Sequence, residues 1–382
     1  MNVPNIQSLT PLRGIAALLV CVYHFHSKYV LTDEILKVTS FFSKGYLWVD
    51  FFFILSGFIM CHVYLKTFSS ETSRVDYNKF IFSRFSRIYP LHIFIFSLLF
   101  VLEIGKLILL NAFQYKLGSE PFGQISPSRH RKLRSIIPTI FLLPNLGRWN
   151  PPAWSISAEF AMYLIFPFCL RFFIKGKYSQ VFSKMTLLFL GLLVFRLFLE
   201  ESNGRISGLH PSFNGWVQCF FEFFLGVLVY RVFKEDLLRT ILGNNLFLVA
   251  VLISIAIIMH HSFNDIFLVP CFILLILSAS YCKGFISNVL NTKAMIFLGD
   301  ISYSVYLVHG PLMEICENLW ELAFKTNLIL SLSNTVDVGA IVVSFLFLSL
   351  VICAATLTHK YIEVPFKRRL KESQFSNKYI FT

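Results

Sequence analysis

The chain has 382 residues, of which 56% are hydrophobic and only 14% are charged. A soluble protein carries about a quarter charged residues, so this composition excludes an ordinary soluble enzyme and indicates an integral membrane protein. The formal net charge of +13 does not indicate nucleic-acid binding, because no segment is long and polar enough to form a soluble basic domain. In a membrane protein, basic residues concentrate in the cytoplasmic loops.

Apolar segments separated by polar connections recur along the whole chain, which predicts an all-α, polytopic membrane helix bundle. The segments 9–27, 46–65, 87–111, 152–174, 184–200, 214–232, 243–260, 265–282, 295–313 and 338–360 are ten candidate transmembrane helices. A further apolar segment, 136–147, is too short to cross a bilayer. No internal repeat or linker is visible, so residues 1–370 are predicted to form one membrane domain followed by a tail, 371–382.

The distribution of Lys and Arg predicts that both termini are cytoplasmic. The connections 66–86, 175–184, 233–242 and 283–294 and the C-terminal tail are basic, whereas the outer connection 314–337 is acidic. The outer connection 113–135 breaks this pattern, because it contains SPSRHRKLR. Either the span count is wrong there, or this loop approaches an anionic acceptor or lipid headgroups.

The eight cysteines lie mostly within apolar segments, and none has the spacing of a metal site. The prediction is therefore buried free thiols and no metal cofactor. No signal-peptide cleavage site follows the first apolar segment, so this first helix is predicted to be retained.

The first helix, LRGIAALLVCVYHFH, carries Arg13 near its start and His24 eleven residues later. Eleven residues return a helix almost to the same azimuth about 16 Å further along its axis. Arg13 is therefore predicted at the cytoplasmic surface and His24 on the same stripe in the outer half. An ionisable residue inside a membrane indicates a functional site, although a snorkelling arginine and a hydrogen-bonded histidine also fit this pattern.

The segment FIFSRFSRIYPLH places Arg84 and Arg87 on one face at the cytoplasmic end of the third span. Paired guanidiniums suit phosphate oxygens, although positive charge at a cytoplasmic boundary is also the general rule.

In NPPAWSISAEF, the two prolines predict a helix start and place Glu159 about two turns inside the membrane. A buried carboxylate needs a partner or water, and a histidine is the expected partner.

A further polar group lies in GDISYSVYLVHGPL, which contains Tyr303 and His309. His24, Glu159 and His309 are predicted at similar depth on three helices, which indicates a polar cavity. Asp50 enters the second span from the same side. Such a set of residues also fits a transporter of a small or lipid-linked anionic solute, although transporters usually contain internal repeats.

Taken in order, six of these motifs resemble the acyltransferase-3 family of membrane O-acyltransferases. They are LRGIAALLVCVYH with its R-x10-H spacing, VDFFFILSGF, RFSRIYP, WSISAEF, ISYSVYLVH and YIEVPFKRRL, and they cover residues 8–370. The resemblance implies a ten-helix enzyme of the cytoplasmic (inner) membrane. Its implied donor is an acyl-CoA, commonly acetyl-CoA. Its implied acceptor is a carbohydrate hydroxyl, often on a cell-surface glycan such as lipopolysaccharide O-antigen or exopolysaccharide.

The family's motif residues map onto Arg13 and His24, onto Arg84 and Arg87, and onto Trp154 and Glu159. With these roles, the two arginines of the third span, helped by Arg13, bind the phosphates of acetyl-CoA. His24 acts as general base, because imidazole titrates near neutral pH, and Glu159 orients it. A covalent acyl-histidine intermediate is the alternative role of His24. The acceptor pocket is assigned to Trp154, Asp50, Tyr303 and His309. The R-x10-H spacing favours His24 over His26.

Overall fold

The computed structural model describes residues 6–29, 38–113, 131–143, 149–203, 213–261, 263–324 and 338–369, and this part of the chain contains no β-strand. The helices in chain order are α1 Leu9–Tyr29, α2 Trp48–Phe68, α3 Arg74–Phe113, α4 Arg131–Arg134, α5 Ile136–Ile140, α6 Ala153–Ile174, α7 Tyr178–Asn203, α8 Phe213–Lys234, α9 Arg239–Leu242, α10 Asn245–His260, α11 Leu268–Tyr281, α12 Phe285–Leu290, α13 Lys293–Asp300, α14 Ser302–Phe324 and α15 Val338–Thr358. Short 3₁₀ turns at Gly45–Leu47 and Asp265–Phe267 precede α2 and α11, and a π-helical turn at His359–Glu363 follows α15. The predicted tail 371–382 lies outside the described residues.

The predicted all-α, polytopic membrane architecture is confirmed. Within the described ranges, seven helices are long and apolar enough to cross a membrane: Leu9–Tyr29, Gly45–Phe68, Arg74–Ala112, Ala153–Ile174, Tyr178–Leu199, Asn214–Lys234 and Val342–Arg369. Each coincides with one of the ten predicted spans. The spans predicted at 243–260 and 265–282 fall on the shorter apolar helices α10 and α11, so the count of ten stays a prediction.

Two predicted boundaries are wrong. Residues 74–86 were expected in a loop but belong to α3, which is 40 residues long. The span predicted at 295–313 is divided between α13 and α14, and α14 continues to Phe324 through a segment that was expected to be an acidic outer loop. Hydropathy ends a predicted span where charges begin, but a helix continues through charges that have partners or reach water.

The acidic residues of α14 have such partners. Glu314 lies 2.8 Å from Lys106 of α3 and 3.7 Å from Lys132, and Lys132 also lies 2.7 Å from Glu103. Glu317 pairs with Lys28 at 2.7 Å. Lys132 belongs to the basic connection 113–135, so at least one positive charge of that connection takes part in an ion-pair network within the protein. Residues 114–130 of that connection lie outside the described residues.

The centre of the bundle is formed by α2 and α8, because 72% and 67% of the residues in their apolar parts are buried. Their backbones touch at two glycines: a Cβ on Gly57 would lie 1.8 Å from the Phe223 carbonyl oxygen, and one on Gly226 would lie 1.9 Å from that of Ile54. Small residues permit this close approach between membrane helices. Around this pair, α1 packs on α13 and α14, and α6 packs on α8. This arrangement brings α1, α2, α3, α6 and α14 around one polar interior.

Candidate active site

A polar cavity of about 100 Å³ lies between α1, α2, α3, α6 and α14. Its charged lining consists of Arg13, Arg87 and Glu159. The rest of the lining is Val49, Phe52, Phe53, Leu55, Ser56, Ile59, Met60, Ile88, Ser155, Ile156, Tyr163, Ser302, Tyr303 and Tyr306. The structure therefore brings together predicted site residues from four separate motifs, which lie far apart in the sequence.

Arg13 and Arg87, each with a guanidinium group, both line this cavity. Among the described residues, neither group makes a hydrogen bond or an ion pair, although the charges of Arg87 and Glu159 act on Arg13. Next to Arg13, α1 packs closely on α13, because a Cβ on Gly14 would lie 2.7 Å from the backbone of Leu298. Two cations without bonded partners in one cavity have the charge and the hydrogen-bond donors that an anion requires.

Arg84 has a different environment from Arg87, although both belong to α3. Its Nη2 donates to the hydroxyl of Tyr64 at 3.1 Å, and the guanidinium lies 5.4 Å from the centre of that ring. Arg84 is absent from the cavity lining. The two arginines were predicted to act as a pair, but the structure places only Arg87 against the cavity.

Glu159 has hydroxyl partners rather than the expected histidine. It accepts a hydrogen bond from Tyr163 at 2.5 Å and another from Ser56 of α2. These two hydroxyls satisfy the carboxylate, which is why it is stable inside the bundle without a contact to His24. The prediction that a histidine would be its partner is wrong, and Glu159 instead supplies the negative charge of the cavity.

His24 lies against His309, with the two ring centres 5.2 Å apart and the ring planes 26° from parallel. The two histidines are thus at one level, as predicted, but Glu159 is not. Tyr306 of α14 meets Ser155 of α6 through a hydroxyl pair at 2.7 Å. The Ser155–Tyr306 contact sets a common level on the two helices. Glu159 is four residues beyond Ser155 on α6, and His309 is three residues beyond Tyr306 on α14, in the opposite direction along the bundle axis. At 1.5 Å per residue, Glu159 and His309 are separated by roughly 10 Å along the bundle axis.

Tyr306 connects the cavity with the two histidines. It lines the cavity, and its ring meets His309 edge-on with the centres 6.0 Å apart. Neither histidine lines the cavity itself. His24 is half-buried and His309 is completely buried.

Of the four residues assigned to the acceptor pocket, only Tyr303 lines the cavity. Its hydroxyl donates to the Ile88 carbonyl oxygen at 2.6 Å, which joins α14 to α3 beside Arg87. Trp154 packs edge-on against Phe53.

Asp50 lies apart from the cavity in a buried network between α2, α7 and α8. It pairs with Arg196 at 2.5 Å and accepts from Gln218 at 2.8 Å, while Arg196 also pairs with Glu222 at 3.0 Å. Asp50 and Glu222 have no exposed surface. This network explains how the charged side chain of Asp50 can be buried, because a buried carboxylate requires a cation or hydrogen-bond donors.

One residue of this region was missed by the sequence reasoning. Glu363 is buried in the π-helical turn, where it accepts from Ser304 at 3.1 Å and contacts His359 at 3.0 Å. Its charge also acts on Arg13 and Tyr303 of the cavity. The signal was present in YIEVP, which places an isolated carboxylate at the end of the last apolar segment.

Comparison with known proteins identifies the family of this chain. A family model described as an acyltransferase domain, that of acyltransferase-3 proteins, matches residues 6–358. The chain belongs to this acyltransferase-3 family. It is 20% identical over 386 residues to O-acetyltransferase OatA of Staphylococcus aureus strain NCTC 8325 / PS 47, an alignment that covers 95% of this chain and 57% of OatA.

A second relative, acyltransferase MdmB of Streptomyces mycarofaciens, is 29% identical over 182 residues, which are 44% of this chain and 40% of MdmB. The matched part of the chain thus covers 57% of the length of OatA and 40% of that of MdmB. No solved structure matches it.

Proposed function

We propose that this protein is a membrane-bound O-acyltransferase. It would transfer an acyl group, most simply acetyl, from acyl-CoA to a hydroxyl of a carbohydrate acceptor. The observation that carries the proposal is the pair of arginines with unbonded guanidiniums, Arg13 and Arg87, that line one cavity. Family membership and the relatives named as acyltransferases support the reaction type.

The donor site in this proposal is the part of the cavity lined by Arg13 and Arg87. Their two charges exceed the single charge of Glu159, so the cavity favours one further anion, and a phosphate group of acyl-CoA has the required charge and oxygen geometry. One water occupies about 10–15 Å³ of cavity volume measured in this way, so a cavity of about 100 Å³ has room for a narrow chain. The pantetheine arm is the narrow part of the donor, and it would point along α1 toward His24.

His24 is the general base of the proposed reaction. Its imidazole removes the proton of the acceptor hydroxyl while the oxygen attacks the thioester carbonyl carbon. The C–O bond forms, the C–S bond breaks, and the proton passes from His24 to the departing thiolate. The axial distance from Arg13 to His24, roughly 16 Å, separates donor phosphate binding from chemistry, so that the two substrates enter from opposite ends.

The proposed orientation follows from the basic connections predicted to face the cytoplasm. The Arg13 end then opens toward cytoplasmic acyl-CoA and the His24 end toward the outer face of the cytoplasmic membrane. The acceptor in this orientation is a cell-surface glycan, such as lipopolysaccharide O-antigen or exopolysaccharide. OatA, named as an O-acetyltransferase, is compatible with acetyl as the transferred group.

The test uses membranes from cells with and without this protein, supplied with acetyl-labelled acetyl-CoA. The expected result is label in the envelope glycan as an ester that mild alkali releases, only when the protein is present. If label accumulates in vesicles without ester formation, the protein is a transporter and the proposed function is wrong. If neither occurs with any hydroxyl acceptor, the proposal also fails.

A further inference from the structure

His309 is a buried histidine whose contacts indicate more than packing. It has no exposed surface and lies against His24, the proposed general base, with 5.2 Å between ring centres. No described carboxylate contacts His24. Glu159, the residue predicted to orient His24, instead binds Ser56 and Tyr163 roughly 10 Å away along the axis. The titratable rings in contact with the proposed base are those of Tyr23, the preceding residue, at 4.9 Å between ring centres, and of His309, which comes from another helix.

The tautomer of His309 is defined by its own helix. Nδ1 lies 3.2 Å from the carbonyl oxygen of Val305, one turn earlier in α14. A carbonyl oxygen only accepts hydrogen bonds, so Nδ1 carries the hydrogen and Nε2 carries a lone pair. Nε2 is buried and has no hydrogen-bond partner. Because buried polar atoms are nearly always bonded, this lone pair indicates a donor that the described residues do not supply in the present arrangement of the side chains.

The helix around His309 is held by an interaction with the start of α6. Pro311 has no N–H, so the carbonyl of Leu307 loses its helical partner. Asn150 replaces it by donating its Nδ2 hydrogen to Leu307 at 3.0 Å. Gly310 makes room for this contact, because a Cβ there would lie 2.8 Å from Asn150 Oδ1. This brace fixes the backbone on both sides of His309, which is the requirement for a positioning residue.

We propose that His309 is the positioning residue of His24, with Nε2 accepting a hydrogen bond from the imidazolium that forms in the reaction. This inference rests on the proposed function, in which His24 takes a proton from the acceptor. In the structure the rings are stacked, and rotation of the His24 ring turns an N–H toward Nε2. His309 thus does what the carboxylate does in a Ser-His-Asp triad, namely orienting the imidazole and stabilising its charged form.

The proton balance is simple. One ring nitrogen of His24 takes the proton of the acceptor hydroxyl, and the other ring nitrogen, which already carries a hydrogen, becomes a stronger donor to Nε2 of His309 because the ring is now charged. When the C–S bond of the thioester breaks, the first nitrogen returns its proton to the sulfur. His309 remains neutral throughout, because Nε2 accepts a hydrogen bond without taking the proton and the Nδ1 hydrogen stays on Nδ1, from which it is donated to the Val305 carbonyl oxygen.

The test compares two replacements of His309 in the purified full-length protein reconstituted in liposomes. His309→Phe keeps an aromatic ring against His24 but removes the lone pair, whereas His309→Gln places an acceptor oxygen near the position of Nε2. Acetyl transfer from acetyl-CoA to the envelope glycan of the producing cells is measured as kcat and as KM for acetyl-CoA. Thermal unfolding is followed in parallel. The double variant His24→Ala with His309→Phe completes a double-mutant cycle.

We expect kcat to fall by about 100-fold or more in His309→Phe, since a misdirected general base loses about 10²–10⁴ in rate. KM should be unchanged, His309→Gln should retain at least about ten times the rate of His309→Phe, and the double variant should be no slower than His24→Ala alone. The inference is overturned if His309→Phe keeps the wild-type kcat, if His309→Gln is equally slow, or if the two losses multiply.

If His309→Phe does not fold, the rate of His309→Gln relative to His24→Ala decides the question. Equal rates overturn the inference, and a faster His309→Gln supports it. A wild-type protein that transfers acetyl to no hydroxyl acceptor contradicts the proposed function itself, which separates the two claims.

Discussion

Replacing Arg87 by Gln tests the donor site directly, because Arg87 makes no hydrogen bond or ion pair within the described part of the protein. The substitution therefore breaks no bond of the free protein, and the melting temperature should not change. A hydrogen bond to a charged group contributes about 1.5–3 kcal/mol. Loss of one such bond to a donor phosphate raises the KM for acetyl-CoA by about 10- to 150-fold at 1.4 kcal/mol per factor of ten.

The matched control is Arg84→Gln on the same helix. Arg84 contacts Tyr64 and lies outside the cavity lining, so its replacement removes no contact with the donor and KM should stay close to the wild-type value. The assay measures initial rates against acetyl-CoA concentration, supported by equilibrium binding of labelled acetyl-CoA. The reasoning is refuted if Arg87→Gln leaves KM and binding unchanged, or if Arg84→Gln weakens binding as strongly.

Two further predictions concern stability. Arg196→Met leaves the buried carboxylates of Asp50 and Glu222 without their cation, so it should cost about 3–5 kcal/mol and lower the melting temperature. Adding Asp50→Asn and Glu222→Gln should restore most of the loss, and a melting temperature that stays low would contradict the assigned network. Gly57→Ala should destabilise the protein, because its Cβ would lie 1.8 Å from a backbone oxygen of α8, whereas Gly105→Ala, with nothing within 4 Å, should not; equal melting temperatures would refute the close contact.

The sequence predicted the site residues better than their contacts. The spacing of Arg13 and His24 on a helix follows from 1.5 Å per residue and 100° per residue, and needs no tertiary information. Of the two partners of Glu159, Tyr163 lies four residues later on the same helix and is a neighbour by helix spacing alone. Ser56 could not be obtained in this way, because its hydroxyl becomes a partner only after α2 packs against α6. The same limit applies to His309, whose contact with His24 depends on the packing of α1 against α14.

Helix boundaries failed for a related physical reason. Hydropathy predicts where a helix is apolar, and it therefore ended α14 before Glu314 and began α3 after Arg84. Glu314 is stabilised by Lys106, which lies more than two hundred residues away in sequence. Arg84 is accommodated by the ring and hydroxyl of Tyr64. Only tertiary structure reveals such partners, so the charged ends of membrane helices were the least predictable parts of this fold.

The central claim, that His24 is the general base of acyl transfer, is tested most directly by comparing His24→Ala with His26→Ala. His26 is two residues away on the same helix, where its ring stacks on Phe42 and its Nε2 meets the hydroxyl of Ser344 at 3.2 Å. Both variants are purified, reconstituted and assayed for labelled acetyl transfer to the glycan. We predict that His24→Ala loses about 10²–10⁴ in rate and that His26→Ala keeps most of its activity. Wild-type transfer by His24→Ala, or equal loss in both variants, would contradict the account.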